Sequence, residues 1–134
     1  MREVGHMTVA GKKVLVVEDE LLVAMGLEDT LSSLGCVVVG PVTTLEEAMA
    51  LFASVEADAA ILDVNIRGQE IFAAARILAA RGVPLIFCSG SVSCGPLPDG
   101  FSDMMQLPKP YTDRAVRDAV RALLTGADAA PVQA

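Results

Sequence analysis

The chain has 134 residues, which fits one domain with a core large enough to fold unaided. It is 53% hydrophobic but only 4% aromatic, so the core must be Ala, Val, Leu and Ile, a composition suited to helices packed on a parallel sheet. A net charge of −7 without any basic cluster argues against nucleic acid or anionic lipid as a partner, and no apolar stretch is long enough to span a membrane.

Gly5-His6-Met7 has the form of a cloning remnant, so Met7 is taken as the native start and His6 is given no role. The N-terminus lacks the apolar core of a signal peptide, and a cytoplasmic location is expected. Residues 1–11 are read as an N-terminal segment, 12–126 as the domain and 127–134 as a flexible tail. Cys36, Cys88 and Cys94 have no metal-ligand spacing and read as free thiols in a reducing compartment.

The first strand is Val14 to Val17, ending on Glu18-Asp19. A helix follows from about Leu21, with Ala24, Leu27, Leu31 and Leu34 at helical spacing. Cys36 to Val39 reads as the second strand, stopped by Gly40-Pro41. Thr44-Leu45-Glu46-Glu47 has capping-box form, and Leu45, Ala48, Met49, Phe52 and Val55 make the buried stripe of the second helix. Ala59 to Leu62 is a third strand ending on Asp63, and residues 65–68 turn the chain. The third helix buries Ile71, Ala74, Ala75 and Leu78. The fourth strand, from about Pro84, ends on Ser89.

Between Ser89 and Met104 the glycines and prolines leave room for little more than a turn of helix. A short strand from Met104 delivers Lys109. Thr112 caps the last helix, whose buried stripe is Val116, Ala119, Val120, Leu123 and Leu124. Five strands alternating with helices, joined by crossovers of this length, predict a doubly wound parallel α/β sheet with a short or irregular fourth helix.

In such sheets chemistry collects beyond the carboxyl ends of the strands. Glu18, Asp19 and Asp63 would meet there and repel one another unless a cation intervened. Hard oxygen ligands with few neighbours suit Mg²⁺. Asp19 and Asp63 are the expected direct ligands, with Glu18 holding a metal-bound water and the Asn65 backbone carbonyl within reach. Without metal, at least one carboxylate should titrate high. Asp63 is the candidate nucleophile for a phosphoryl group, Ser89 a hydroxyl donor to it, and Lys109 a fixed positive charge. Each residue alone has an ordinary explanation as a turn or cap; their conjunction at four strand ends is what points to function.

These segments resemble the receiver domain of two-component response regulators, from Lys12 to Gly126. Val14 to Glu20 is similar to the family's acidic-pair segment, Ile61-Leu62-Asp63-Val64-Asn65 to its phosphoacceptor segment, and Leu107-Pro108-Lys109-Pro110-Tyr111 to its Lys-Pro-aromatic signature. The resemblance implies the flavodoxin-like fold with strand order 2-1-3-4-5, a cis Lys109-Pro110 bond, and Mg²⁺-dependent transfer of phosphoryl from a kinase phosphohistidine to Asp63. It also implies a histidine kinase or phosphotransfer protein as donor and an unknown downstream protein as recipient of the signal. Self-phosphorylation and slow autodephosphorylation would be the only catalysis.

Two features depart from or narrow this pattern. Gln106 stands where the family usually has an aromatic switch residue, so an order-to-disorder change in segment 90–103, biased by Ser89, is the expected alternative. Pro84 to Gly90 is similar to the Phe-Ala-Thr-Gly variety of receivers, often stand-alone proteins of alphaproteobacteria served by HWE-type kinases. Met104, Met105 and Tyr111 are placed near the expected output face, and Met104 and Met105 read either as partner-docking residues or as alternating core and surface. Arg67 reads as a kinase guide or a solvated turn residue.

Competing readings are weaker on mechanistic grounds. A haloacid-dehalogenase-like enzyme needs a second Asp where Asn65 stands. A flavodoxin-like cofactor binder would set phosphate against Glu18-Asp19-Glu20. A pseudo-receiver acting only as an interaction module, or a receiver excised from a hybrid histidine kinase, remains as an alternative.

Overall fold

The computed structural model describes residues 9–89 and 97–126. Residues 1–8 with His6, residues 127–134, Cys94 and the rest of residues 90–96 within the expected switching segment lie outside the described residues. The strands are β1 (Lys13–Val17), β2 (Val37–Val42), β3 (Ala59–Asp63), β4 (Asn65–Ile66), β5 (Gln69–Glu70), β6 (Leu85–Ser89) and β7 (Met105–Pro108). The helices are α1 (Leu21–Ser33), α2 (Leu45–Leu51), α3 (Phe72–Ala80) and α4 (Asp113–Thr125).

Five strands form one parallel sheet in the order β2-β1-β3-β6-β7. Counting only these five, the order is 2-1-3-4-5, as expected from the sequence. All five residues of β3 are buried, as a strand covered by helices on both faces must be. Alternate side chains of the sheet feed two cores. Leu15, Val17, Leu62 and Phe87 pack with Phe52 and Leu78 on the α2–α3 side. Val14, Val16, Ile61 and Ile86 pack with Leu27, Leu31, Val116 and Val120 on the α1–α4 side. The strand order reverses between β1 and β3, so their carboxyl ends open onto a crevice.

Several local expectations are corrected. Gly40-Pro41 does not stop β2; the strand runs through it to Val42 on a bulge. Leu15 pairs with Val39 but Val17 with Val42, so β2 carries one extra residue. As an edge strand, β2 tolerates the missing proline donor. Gly40 has φ +104, and a Cβ there would lie 2.8 Å from the Val16 carbonyl oxygen, so the close approach requires glycine. The bulge brings the Val42 carbonyl to 3.0 Å from the Glu18 amide, which anchors the residue that opens the site.

α2 is shorter than its apolar stripe. Phe52 and Val55 are buried just beyond it, whereas Met49 is exposed. The capping box is half formed: Thr44 Oγ1 accepts from the Glu47 amide at 3.0 Å, but the Glu47 carboxylate accepts from Thr43 rather than Thr44. Leu34, Leu123 and Leu124 are only partly buried.

Between β3 and α3 the chain makes a small antiparallel hairpin, β4–β5, which periodicity did not reveal. Its two-residue turn places Arg67 at φ 52 and Gly68 at φ 84, both in the left-handed region as a type I′ turn requires. Residues 97–104 contain turns and no helix. Phe101 pins that segment, its ring 5.2 Å from Phe87 and 5.7 Å from Phe72, with the Arg76 guanidinium 5.1 Å above it. Met104 packs on the α3 side of the sheet and Met105 on the α4 side, which favours alternation over a shared docking role. Both Gly40-Pro41 and Lys109-Pro110 are cis.

Candidate functional site

The carboxyl ends of β1, β3, β6 and β7 deliver Glu18-Asp19, Asp63, Ser89 and Lys109 to one rim. Register does this directly, since Asp63 pairs with Cys88, Cys88 with Leu107, and Ser89 with Pro108. The Lys109 amide donates to the Ser89 carbonyl at 2.7 Å, extending the β6–β7 ladder to the lysine itself.

Lys109 organises the centre. Its Nζ lies 2.9 Å from Glu18 Oε1, 3.1 Å from Asp63 Oδ2 and 3.4 Å from Glu20 Oε1. Burial works against its charge, but Glu18 and Asp63 outweigh that and hold its pKa above the ordinary lysine value. Glu18 is itself pushed above the usual carboxylate range, first by burial and further by the charge of Asp63, against the pull of Lys109 and the Glu20 amide. A raised carboxylate was expected from crowding alone; burial is the larger cause.

Asp19, half-buried, is held from the hairpin by the Arg67 amide, which donates to its Oδ2 at 3.0 Å. The Asn65 amide donates to Asp63 Oδ1 at 3.3 Å, and Asn65 Oδ1 accepts from the Gly68 amide at 2.9 Å, closing the turn. Arg67 is therefore more than a solvated turn residue: its Nε also donates to the Thr43 carbonyl at 3.2 Å, tying the hairpin to the loop after β2.

Carboxylate oxygens of Glu18, Asp19 and Asp63 lie within 4.8 Å of one another. Three hard anionic donors at that spacing, two of them buried, fit a small divalent cation such as Mg²⁺ better than any softer ion. Ser89 stands half-buried at the edge of the same rim. Position 106 is an exposed glutamine on β7, not an aromatic ring.

Two residues named within the matching segments take roles at the site that were not foreseen. Glu20 joins the lysine from the N-terminus of α1, a position that its sequence neighbours hint at only through charge. Tyr111 turns its hydroxyl inward beside the Cys88 thiol, where, among the described residues, it is buried without a well-formed hydrogen bond. Burial first, then the charges of Cys88, Glu18 and Asp63, raise its pKa.

A buried aspartate ending the central strand, flanked by an acidic pair and bridged by a lysine from the neighbouring loop, defines a doubly wound α/β protein built around one carboxylate. The chain belongs to the response regulator receiver domain family, whose model matches residues 14–121. Among solved structures, it resembles SdrG from Sphingomonas melonis Fr1 at 42% identity and TM-score 0.74, over 87% of this chain and 99% of that one. It resembles the response regulator PhyR from Brucella abortus at 26% identity and TM-score 0.74, over 90% of this chain but only 51%, about half, of PhyR. The receiver domain of sensor histidine kinase PA1611 from Pseudomonas aeruginosa, solved with magnesium in its active site cleft, shares the fold at 23% identity and TM-score 0.70, covering 88% of this chain and 100% of that one. Comparison with curated proteins gives no match. No described helix is long and apolar enough to cross a membrane.

Proposed function

We propose that this receiver accepts a phosphoryl group on Asp63 from the phosphohistidine of a histidine kinase or phosphotransfer protein, and passes the signal to a partner protein. The observation that carries this reading is the Lys109 ammonium bridging Glu18 and Asp63 at 2.9 and 3.1 Å on the carboxyl rim of the sheet. A nucleophilic carboxylate and a fixed cation thereby share one buried point. In the transfer, an Asp63 oxygen bonds to phosphorus as the phosphorus–nitrogen bond to the donor imidazole breaks, giving an acyl phosphate and free histidine. Lys109 follows the charge from the carboxylate onto a phosphoryl oxygen, and Ser89 offers its hydroxyl to another.

Glu18, Asp19, Asp63 and the Asn65 carbonyl would hold Mg²⁺, which when bound neutralises phosphoryl charge. The Arg67 amide keeps Asp19 aimed at that position. Turnover of a separate substrate forms no part of the reading. Receiver domains are in general not catalytic enzymes, and self-phosphorylation with slow loss of the acyl phosphate is the expected limit. The likeness to SdrG, whose beryllofluoride-activated conformation is also similar at 42% identity, supports phosphorylation as the switching event.

Intact mass after incubation with a small phosphodonor and Mg²⁺ tests the proposal. The expected result is a gain of one phosphoryl group, lost with EDTA and in Asp63→Asn. A wild-type protein that binds Mg²⁺ yet takes up no phosphoryl from small donors or from any phosphohistidine protein would favour the pseudo-receiver instead.

A further inference from the structure

The side chain of Glu20 does no structural work that accounts for its position. It occupies the N-cap of α1, yet makes no side-chain capping bond. What position 20 contributes to the fold is main chain, whose amide donates to Glu18 Oε2 at 3.0 Å. The carboxylate instead reaches Lys109 Nζ at 3.4 Å while remaining 66% exposed, and it lines the groove between α1 and the β7–α4 loop together with Leu22, Lys109 and Tyr111. Of the three carboxylates on Lys109 it is the only exposed one; Glu18 and Asp63 are both buried.

We infer that Glu20 selects phosphodonors by charge, standing at the entrance to Asp63 and Lys109 and disfavouring small donors in proportion to their negative charge. This rests on the phosphoacceptor reading above. An incoming phosphoryl group must displace a carboxylate from Lys109, and the exposed one is the one free to move aside. Until it moves, its charge repels the donor at a distance too short for salt to screen fully, in a site too open for the repulsion to be large. A donor carried on a docked protein is held by contacts that do not depend on Glu20, so it is less affected than a free anion.

The test compares acetyl phosphate, doubly negative near neutrality, with phosphoramidate, which carries one negative charge fewer. In the first case the Asp63–phosphorus bond forms as acetate leaves; in the second, ammonia leaves with the proton it already carries. Initial rates of phosphorylation are measured by intact mass at saturating Mg²⁺ for wild type, Glu20→Gln and Glu56→Gln. Glu56→Gln makes the same change in net charge at the opposite end of β1, where Glu56 pairs with Lys13.

The expected result is a gain of about 3- to 10-fold with acetyl phosphate in Glu20→Gln, about the square root of that with phosphoramidate, and little change in Glu56→Gln. The gain should shrink as ionic strength rises. Equal factors for both donors, or no gain, would overturn the selection while leaving Asp63 as phosphoacceptor. A wild type phosphorylated by neither these donors nor any phosphohistidine protein would overturn both.

Discussion

Tyr111 is poorly compensated for its burial. Among the described residues its hydroxyl makes no well-formed hydrogen bond and faces only a weak partner, the Cys88 thiol, although the ring packs well on the α1–α4 core. An unmade hydrogen bond in such a place costs about 1–3 kcal/mol, so Tyr111→Phe should stabilise the fold by about 1 kcal/mol. Urea unfolding checks this; a loss of stability would mean that the hydroxyl is partnered in solution. Asp113 is the opposite case. Thr30 Oγ1 donates to its carboxylate, and Arg117 Nε lies 2.6 Å from it, so its pKa is held below the ordinary 3.8. A depressed carboxylate pKa contributes stability that is complete above the unfolded value and lost as pH falls through the folded one. The stability difference between wild type and Asp113→Asn should therefore be constant near neutrality and shrink below about pH 4, read from urea midpoints across that range. A difference that persists at lower pH would place the effect elsewhere.

Elements were legible where a period or a cap identified them. The strands leading to Glu18-Asp19, Asp63 and Ser89 are apolar runs of strand length, and the last helix is bounded by Thr112, whose hydroxyl accepts from the Ala115 amide at 3.0 Å. Elements made by tertiary contact were not legible. The β2 bulge depends on Gly40 fitting against Val16 across the sheet, and the β4–β5 hairpin on two left-handed residues between strands too short to show alternation. Gly40→Ala tests the bulge. It adds a Cβ 2.8 Å from backbone at a φ that alanine avoids, and should cost about 2 kcal/mol or more by urea unfolding, with β2 losing amide-exchange protection first. A neutral substitution would show that β2 can rejoin β1 in another register.

At the scale of the whole molecule, the alternation of strand and helix with crossovers of similar length leaves few topologies. The reversal between β1 and β3 then forces the three carboxylates together. The rim was therefore readable from chain order alone. The internal arrangement of the rim was not, because which carboxylate is buried, and that Lys109 is shared among three, depends on side-chain depth rather than on order along the chain. A fold carrying this much buried negative charge should gain from a divalent cation by mass action. Saturating Mg²⁺ should raise the melting temperature by about 5 °C or more, and Asp63→Asn should raise it without metal and blunt the response. Indifference of the wild type to Mg²⁺ would count against the site.

The most direct test is chemical trapping. Protein treated with phosphoramidate and Mg²⁺ is reduced with borohydride, which converts an acyl phosphate to the corresponding alcohol, and the peptides are mapped by mass. The expected result is conversion of Asp63 to homoserine, abolished by EDTA, with Asp19, Glu18 and Glu20 unmodified. Trapping at another carboxylate, or none at all in protein that has gained a phosphoryl group by mass, would contradict Asp63 as the phosphoacceptor.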